Sequence, residues 1–328
     1  MKVIIATEGG EIGGLGHIQR CFAISQAFEE KGIKSQFIVN GDDSVKKALR
    51  EKNYQIWNWL KKRNEFFELA KKVDIVIIDS YLGDISFYKK LSELVRVPVY
   101  IDDNKRLDYP RGVVLNSGIY ARELEYPRRN NIRYLLGNQY VPLRKLFWEV
   151  RERKTRDGIE SIMVTTGGHD PKNVMPKIVK FLKVNYPVLR KDIIIGNAFG
   201  NIDAIKREVD KNTNLIYFPD TKKMKDIMLR SDIAISSGGQ TLYELARVGV
   251  PTIAFLQAEN QRLNLEAWDK EGFIEYVGGY NNLGKKISQG LDRLPLRKER
   301  ARRSGIGMRL VDGQGARRTR EALLTYEN

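Results

Sequence analysis

Apolar and polar positions along this chain alternate between two periods. In the stretch from Lys2 to Gly32 the run KVIIAT reads as a buried strand and EGGEIGGLGH as a tight loop. Ile18, Cys21, Phe22, Ile24, Ser25 and Phe28 then recur at helical spacing, so a helix follows the loop directly. The same grammar continues with a strand near Ser35 to Val39, a helix from Asp43 to Glu51 and a strand around Tyr54 to Trp57. A helix holding Phe66, Phe67 and Leu69, an apolar run from Asp74 to Ile78, a helix from Ser86 to Leu94 and a strand from Val97 to Ile101 come next. Strands apolar on both faces and separated by helices imply a parallel sheet covered on each side. Ligands of such sheets gather beyond the carboxyl ends of the strands, which singles out the glycine loop, Asp79-Ser80-Tyr81 and Asp102-Asp103-Asn104.

The charged stretch Arg151 to Asp157 reads as an interdomain linker, and a second series begins at about Glu160. Its first strand, Ser161 to Thr165, runs into Gly167-Gly168-His169-Asp170 and a helix from about Asn173. Strand and helix patterns then alternate through Asp192 to Ile195, Ile202 to Val209, Asn214 to Phe218 and Lys222 to Leu229. The strand Asp232 to Ser236 opens onto Ser237-Gly238-Gly239-Gln240 and a helix from Thr241 to Val248, before Pro251 to Phe255, Leu263 to Lys270 and Phe273 to Val277. The expected organisation is therefore two Rossmann-like α/β domains, residues 1–150 and 158–310, with a cleft between them, and a terminal segment 311–328 carrying a helix from Ala316 to Leu324.

The loops carry the candidate chemistry. Gly13, Gly14 and Gly16 let a ligand approach the backbone, and a helix starting near His17 offers unpaired N–H donors, so an anion such as phosphate is the expected guest. His17 in that first turn sits in a positive field that keeps an imidazole available as a base; the same place also suits a histidine that merely packs the helix start. The chain has only two histidines, and both, His17 and His169, fall in glycine-rich strand-to-helix loops. In the second glycine loop, Gly238 and Gly239 could cradle a diphosphate while Glu244 binds ribose hydroxyls, yet Thr241 and Glu244 also have the spacing of a capping box. Asp102-Asp103 could hold a divalent ion or cap a loop, and Ser236 and Ser237 read as phosphate-binding hydroxyls more readily than as nucleophiles.

Neither loop matches a standard nucleotide fingerprint: no Gly-Lys-Ser/Thr is present, and Gln19 stands where a dinucleotide motif wants its third glycine. No metal-ligand spacing occurs, and no cofactor is expected. At 328 residues two cores are expected. The net charge of +16 comes from 57 Lys and Arg against 41 Asp and Glu, and it is spread rather than packed into a stripe, apart from Arg297 to Arg320. That cluster lacks interleaved aromatics, which argues against nucleic-acid binding. A single cysteine, Cys21, an N-terminus that enters a strand directly and the lack of a run of about 18 apolar residues fit a soluble, cytoplasmic chain, expected to be a monomer.

Several segments together carry a resemblance. Gly14-Leu15-Gly16-His17-Ile18-Gln19-Arg20, IDSY at 78–81, IDDNKR at 101–106, LLGNQYVPLR at 135–144, TGGHDPKN at 166–173, SGGQTLYELARVGVPTIAF at 237–255, Ala258-Glu259-Asn260-Gln261 and VDGQGARR near the end occur in order. The chain resembles the GT-B superfamily, and within it the nucleotide-sugar hydrolases of pseudaminic acid biosynthesis (PseG type) and the related spore-coat polysaccharide proteins (SpsG type). The resemblance implies a UDP-sugar in the interdomain cleft. Gly167, Gly168, Ser237, Gly238, Gly239, Gln240, Thr241, Glu244 and Gln261 would face the nucleotide, and Gly14, Gly16, Arg20, Tyr81, Asp102 and Asn260 the sugar side. His17 would activate water for inverting, metal-independent cleavage of the C1–O bond of a UDP-2,4-diacetamido-2,4,6-trideoxyhexose. Transfer of the sugar to an acceptor is the alternative that the same resemblance implies.

Overall fold

The computed structural model describes residues 1–10 and 14–326, so Gly13 lies outside the described residues. The chain forms two compact units, Met1–Lys145 with Gly313–Asn328, and Leu146–Asp312. In the first unit the strands are β1 (Val3–Glu8), β2 (Ser35–Asn40), β3 (Asn53–Ile56), β4 (Ile75–Asp79), β5 (Val97–Ile101), β6 (Gly112–Asn116) and β7 (Ile132–Leu136). They form one parallel sheet in the order β3-β2-β1-β4-β5-β6-β7. The helices are α1 (Gly16–Glu29), α2 (Lys46–Leu49), α3 (Arg63–Ala70) and α4 (Ile85–Leu94). Alternate residues of β1 explain the two-sided cover: Val3 and Ile5 pack with Ile18, Cys21, Ile24 and Phe28 of α1, while Ile4 and Ala6 pack with Phe66 and Phe87. The sheet order reverses between β1 and β4, where Thr7 pairs with Asp79, so the loops leaving these two strands are neighbours.

The second unit repeats the plan. Its strands β8 (Ser161–Thr165), β9 (Arg190–Ile195), β10 (Thr213–Tyr217), β11 (Ile233–Ser237), β12 (Thr252–Leu256) and β13 (Ile274–Gly279) form a parallel sheet in the order β10-β9-β8-β11-β12-β13. The helices are α5 (Val174–Asn185), α6 (Ile202–Arg207), α7 (Thr221–Arg230), α8 (Thr241–Val248), α9 (Arg262–Lys270), α10 (Leu283–Asp292) and α11 (Arg297–Leu310). Here the order reverses between β8 and β11, so Gly167-Gly168 and Ser237-Gly238-Gly239 flank one switch point. Among the described residues no helix is long and apolar enough to cross a membrane.

Four elements, β6, β7, α10 and α11, do not follow from the alternating pattern. The links β5–β6 and β6–β7 contain no α-helix, so the strand-helix-strand rhythm that marks the other strands is missing there. The expected helix from Asp43 to Glu51 is a 3-10 turn, Asp43–Val45, capped by Asp42 accepting from Ser44 N at 2.9 Å, followed by the short α2.

The charged segments are built into the units. Beyond Lys145, Phe147 and Trp148 are buried and their carbonyls accept from Arg247, at 2.9 and 2.8 Å. Burial pulls Arg153 down to about 10, against the attraction of Asp232, and it donates to Gly249 O at 3.1 Å. Arg300 is 1% exposed and donates to five carbonyls: Leu294 at 2.7 Å, Pro295 at 2.5 Å, Arg156 at 2.8 Å, Asp157 at 2.9 Å and Gly158 at 3.3 Å. The final helix α12 (Gly315–Leu324) belongs to the first unit: Arg320 donates to Ala27 O at 2.9 Å, Arg317 pairs with Glu30, and Ala322 and Leu323 enter the core beside α1. These guanidinium groups satisfy carbonyls and carboxylates of their own unit rather than forming a solvated basic face.

Candidate functional site

At the switch point of the first unit five side chains close a ring. His17 is on the first turn of α1, with Arg20 one turn further, which places both on the same helix face. Asp79 ends β4, Tyr81 follows it in the loop, and Asp103 lies in the loop after β5. His17 Nδ1 is 2.6 Å from Asp79 Oδ1 and 3.2 Å from Arg20 Nη2; an ionised carboxylate can only accept, so in the neutral imidazole that pairs with it Nδ1 carries the hydrogen and Nε2 is the bare nitrogen. The His17 side chain keeps 16% exposure.

Arg20 holds the ring together. Its Nε donates to Asp79 Oδ2 at 2.6 Å and its Nη2 to Asp79 Oδ1 at 2.5 Å, while Nη1 donates to both oxygens of Asp103, at 2.9 and 2.7 Å. Burial alone would raise the Asp79 carboxyl and lower Arg20, but their mutual attraction, with His17 and Asp103, overrides both. Asp79 is held well below the usual carboxylate range and Arg20 above its ordinary value. With the imidazole neutral, two carboxylates face one guanidinium, and uptake of a proton by His17 cancels the remaining negative charge. That is the electrostatic setting of a general base.

Tyr81 closes the ring. Its hydroxyl donates to Asp103 Oδ2 at 2.5 Å, and its ring meets the imidazole edge-on at 4.9 Å between centroids. Burial, then Asp103, keep this phenol protonated far above its ordinary range, so the oxygen has only acceptor capacity left for a ligand. The Tyr81 backbone is fixed from β1, where Glu8 accepts from Tyr81 N at 3.0 Å and from Ser80 Oγ at 2.8 Å. Cys21, a buried thiol, adds a donor to Asp79 Oδ2 at 3.5 Å.

The other first-unit residues divide in their placement. Gly14, with φ of 73°, exchanges hydrogen bonds with Gly10 at 2.9 and 3.1 Å and has open space where a Cβ would stand, as does Gly16. Asp102 caps its own loop, accepting from Asn104 N at 3.1 Å and from Arg106 N at 2.9 Å; the carboxylate facing Arg20 and Tyr81 is that of Asp103. All three nitrogens of Arg20 are engaged inside the ring.

At the second switch point Gly167, with φ of 87°, and Gly168 have nothing within 4 Å of a notional Cβ. Gly167 N donates to Thr165 Oγ1 at 3.2 Å, and His169 O accepts from Thr166 Oγ1 at 3.2 Å and from Gln257 Nε2 at 3.3 Å, while the His169 residue is exposed. Asp170 caps α5 through Val174 N and Met175 N, at 2.9 and 2.8 Å. Across the switch point Gln261 Oε1 accepts from Gly238 N and Gln257 N, both at 3.3 Å, which turns its NH₂ toward Gly239. Asn264, itself held by Tyr243 at 2.5 Å, donates to Gly238 O at 2.9 Å. Ser236 Oγ is spent on Ser237 O at 2.9 Å, Ser237 is buried, and Asn260 is exposed.

The capping box does not form. Gln240, not Thr241, is the N-cap of α8 and makes no side-chain capping bond; Thr241 is already helical, and Glu244 is 4% exposed in the first turn. What the arrangement offers is a set of backbone donors and one amide on an open glycine loop, suited to an anion.

Residues 155–307 match the glycosyltransferase family 28 C-terminal domain. The spore coat polysaccharide biosynthesis protein SpsG of Bacillus subtilis is 25% identical over 332 residues, 96% of this chain and 95% of that protein. The Helicobacter pylori protein named pseudaminic acid cytidylyltransferase and UDP-2,4-diacetamido-2,4,6-trideoxy-beta-L-altropyranose hydrolase is 23% identical over 295 residues, 88% of this chain. The crystal structure of Acinetobacter baumannii MurG superposes with a TM-score of 0.70 at 14% identity, covering 99% of this chain and 100% of that one, which shows the fold. In sequence the chain is similar to SpsG and to the Helicobacter protein, and its fold is GT-B. The chain spans 57% and 50% of the length of two curated relatives it matches, the Helicobacter protein being the latter.

The sequence put His17, Arg20 and Tyr81 at the site and singled out the segments holding Asp79 and Asp103, but it gave Asp79 no role and Asp103 only that of a divalent-ion ligand or loop cap. The available signal was position: Asp79 ends β4 and Asp103 lies two residues beyond β5, both at the carboxyl edge of a parallel sheet.

Proposed function

We propose that this GT-B chain is a UDP-sugar hydrolase, in which the second unit holds UDP and the first supplies His17 as the base. The observation that carries the reading is the His17–Asp79 pair, 2.6 Å apart on a partly exposed imidazole, since an Asp79 carboxylate that can only accept leaves Nε2 as the basic nitrogen. Water attacks the anomeric carbon and gives its proton to Nε2. As the C1–O bond breaks, its electron pair leaves on the diphosphate oxygen, releasing UDP and inverted free sugar. Asp79 does not take the proton; it holds the imidazole tautomer and balances the imidazolium. Backbone N–H groups of Gly168 and Gly239 and the NH₂ of Gln261 stabilise the departing diphosphate, and Glu244 takes the ribose.

The relative named for a UDP-2,4-diacetamido-2,4,6-trideoxy sugar supports that substrate class. A second reading, transfer of the sugar to an acceptor hydroxyl, is favoured by the family 28 match over residues 155–307. The two differ in whether water or an acceptor loses the proton to His17. The test is product formation from a panel of UDP-sugars, the 2,4-diacetamido ones included, with EDTA and no acceptor. UDP with stoichiometric free sugar is the expected result; UDP binding without turnover would shift the reading to transfer, and neither binding nor turnover would overturn both.

A further inference from the structure

Asp103 touches neither His17 nor Asp79, yet it shares Arg20 with Asp79 and Tyr81 with His17. Both oxygens of Asp103 accept from Arg20 Nη1, at 2.9 and 2.7 Å, and the nearer one also accepts the Tyr81 hydroxyl at 2.5 Å. The guanidinium is a rigid planar fork, so fixing its Nη1 end on Asp103 fixes the Nε and Nη2 end that lies on Asp79. Three elements meet here without sharing a backbone: α1 supplies His17 and Arg20, the end of β4 supplies Asp79 and Tyr81, and the loop after β5 supplies Asp103. Asp102, next in the chain, anchors that loop by accepting from the backbone of Asn104 and Arg106, and Asn116 Nδ2 and Tyr120 OH donate to the Asp103 carbonyl, each at 3.0 Å. The Asp103 carboxylate is thus delivered at a set position.

We propose that Asp103 is a positioning residue that acts through Arg20 and Tyr81 to align the Asp79–His17 pair and the ligand-facing phenol as one unit. It contributes alignment and one negative charge and contacts no reacting atom. Among the described residues the charged and titratable groups around His17 are Asp79 and Tyr81 from β4 and its loop, Arg20 and the Cys21 thiol from α1, Asp103 from the β5 loop, and Glu8 at the end of β1, whose carboxylate is occupied by Ser80 and Tyr81 N. Removal of the Asp103 charge leaves the Arg20 cation less balanced, which opposes a second positive charge on His17.

The proposal rests on His17 being the base, and its first test needs no substrate. With two histidines in the chain, the His17 imidazole signal is assigned by comparison with His169→Gln and followed through a pH titration by NMR. Asp103→Asn, an isosteric change that deletes the charge, is expected to move the His17 midpoint to lower pH. Asp108→Asn, on an exposed carboxylate paired with Arg129, is expected to leave it in place. A folded Asp103→Asn protein whose His17 titration superimposes on the wild type would overturn the proposal and leave Asp103 a structural residue. Where Asp103→Asn does not fold, Asp103→Glu is the second variant. It keeps the charge and displaces the carboxylate by one methylene, so kcat for UDP release is expected to fall on the order of 10²-fold with KM nearly unchanged; wild-type kcat would overturn it. Absence of UDP release from the wild type itself would count against the hydrolase reading, and the titration would still decide the role of Asp103.

Discussion

His17 and Asp79 are separated by 62 positions in the chain and by 2.6 Å in space. The parallel pairing of β1 with β4 brings this about, because Thr7 and Asp79 are register partners and the helix carrying His17 starts just beyond the loop that leaves β1. The pair therefore sits where the sheet order reverses, the place at which open α/β sheets admit ligands.

If Asp79 holds the tautomer and His17 takes the proton, Asp79→Asn and His17→Asn should each lower kcat on the order of 10²-fold or more. UDP affinity, a property of the second unit in this reading, should stay unchanged by calorimetry. Asp79→Asn should also lower stability by about 3–5 kcal/mol, since Arg20 loses the buried partner of its Nε and Nη2. Turnover at the wild-type rate in His17→Asn would remove the base from the mechanism.

Thr241 and Glu244 separate two explanations of the same spacing. Because Gln240 is the N-cap of α8 and carries no capping bond, Thr241→Ala should change stability by less than about 0.5 kcal/mol, where loss of a working N-cap costs about 1 kcal/mol. Glu244→Gln should weaken UDP binding while the melting temperature moves little. A large drop in melting temperature with intact UDP affinity would make Glu244 a structural acid.

Much of the architecture was legible because strands and helices alternate with distinct periods. Ser161–Thr165 and Thr241–Val248 follow from their apolar patterns with their ends in place. β6 and β7 were not legible, because without intervening helices GVVLN and IRYLL read as short apolar runs in a polar stretch. At the site, a loop histidine with neighbouring glycines announces itself through composition, as His17 did. Asp79 and Asp103 do not: a carboxylate after an apolar strand reads equally as a loop cap, which Asp102 is and Asp103 is not. Which of two adjacent aspartates faces the site depends on how the β5 loop turns, and that is fixed by Asn116 and Tyr120 from a strand and loop whose placement the pattern did not show.

Acid sensitivity should carry the signature of depressed carboxylates. Glu299 is brought to about 2 by hydrogen bonds from Arg302 and, against its burial, by Arg303, below the ordinary value of about 4.3. A carboxyl lowered on folding contributes stability that is present above its unfolded value and is lost as pH falls toward the folded one. The melting-temperature gap between the wild type and Glu299→Gln should therefore hold above about pH 5 and close toward pH 2. Asp79, lowered by Arg20 and His17 against burial, acts with the same sign. A gap that stays constant down to pH 2 would mean that Glu299 contributes packing and not charge.

Gly196 tests whether the loop after β8 is the anion cradle. It follows β9, and a Cβ there would lie 2.4 Å from Gly168 O and 2.5 Å from Gly167 O, both backbone atoms that cannot yield without moving the glycine loop. Gly168 O also accepts from Ala198 N at 3.0 Å, so the two loops are already tied. Gly196→Ala should therefore displace Gly167 and Gly168 and weaken UDP binding by about tenfold or more, the equivalent of about 1.4 kcal/mol. Gly196 belongs to the second unit and the His17 ring to the first, so the NMR titration of His17 should be that of the wild type. Loss of affinity with an unaltered His17 titration would assign the anion to the β8 loop; full affinity despite the displaced glycines would move the nucleotide away from it.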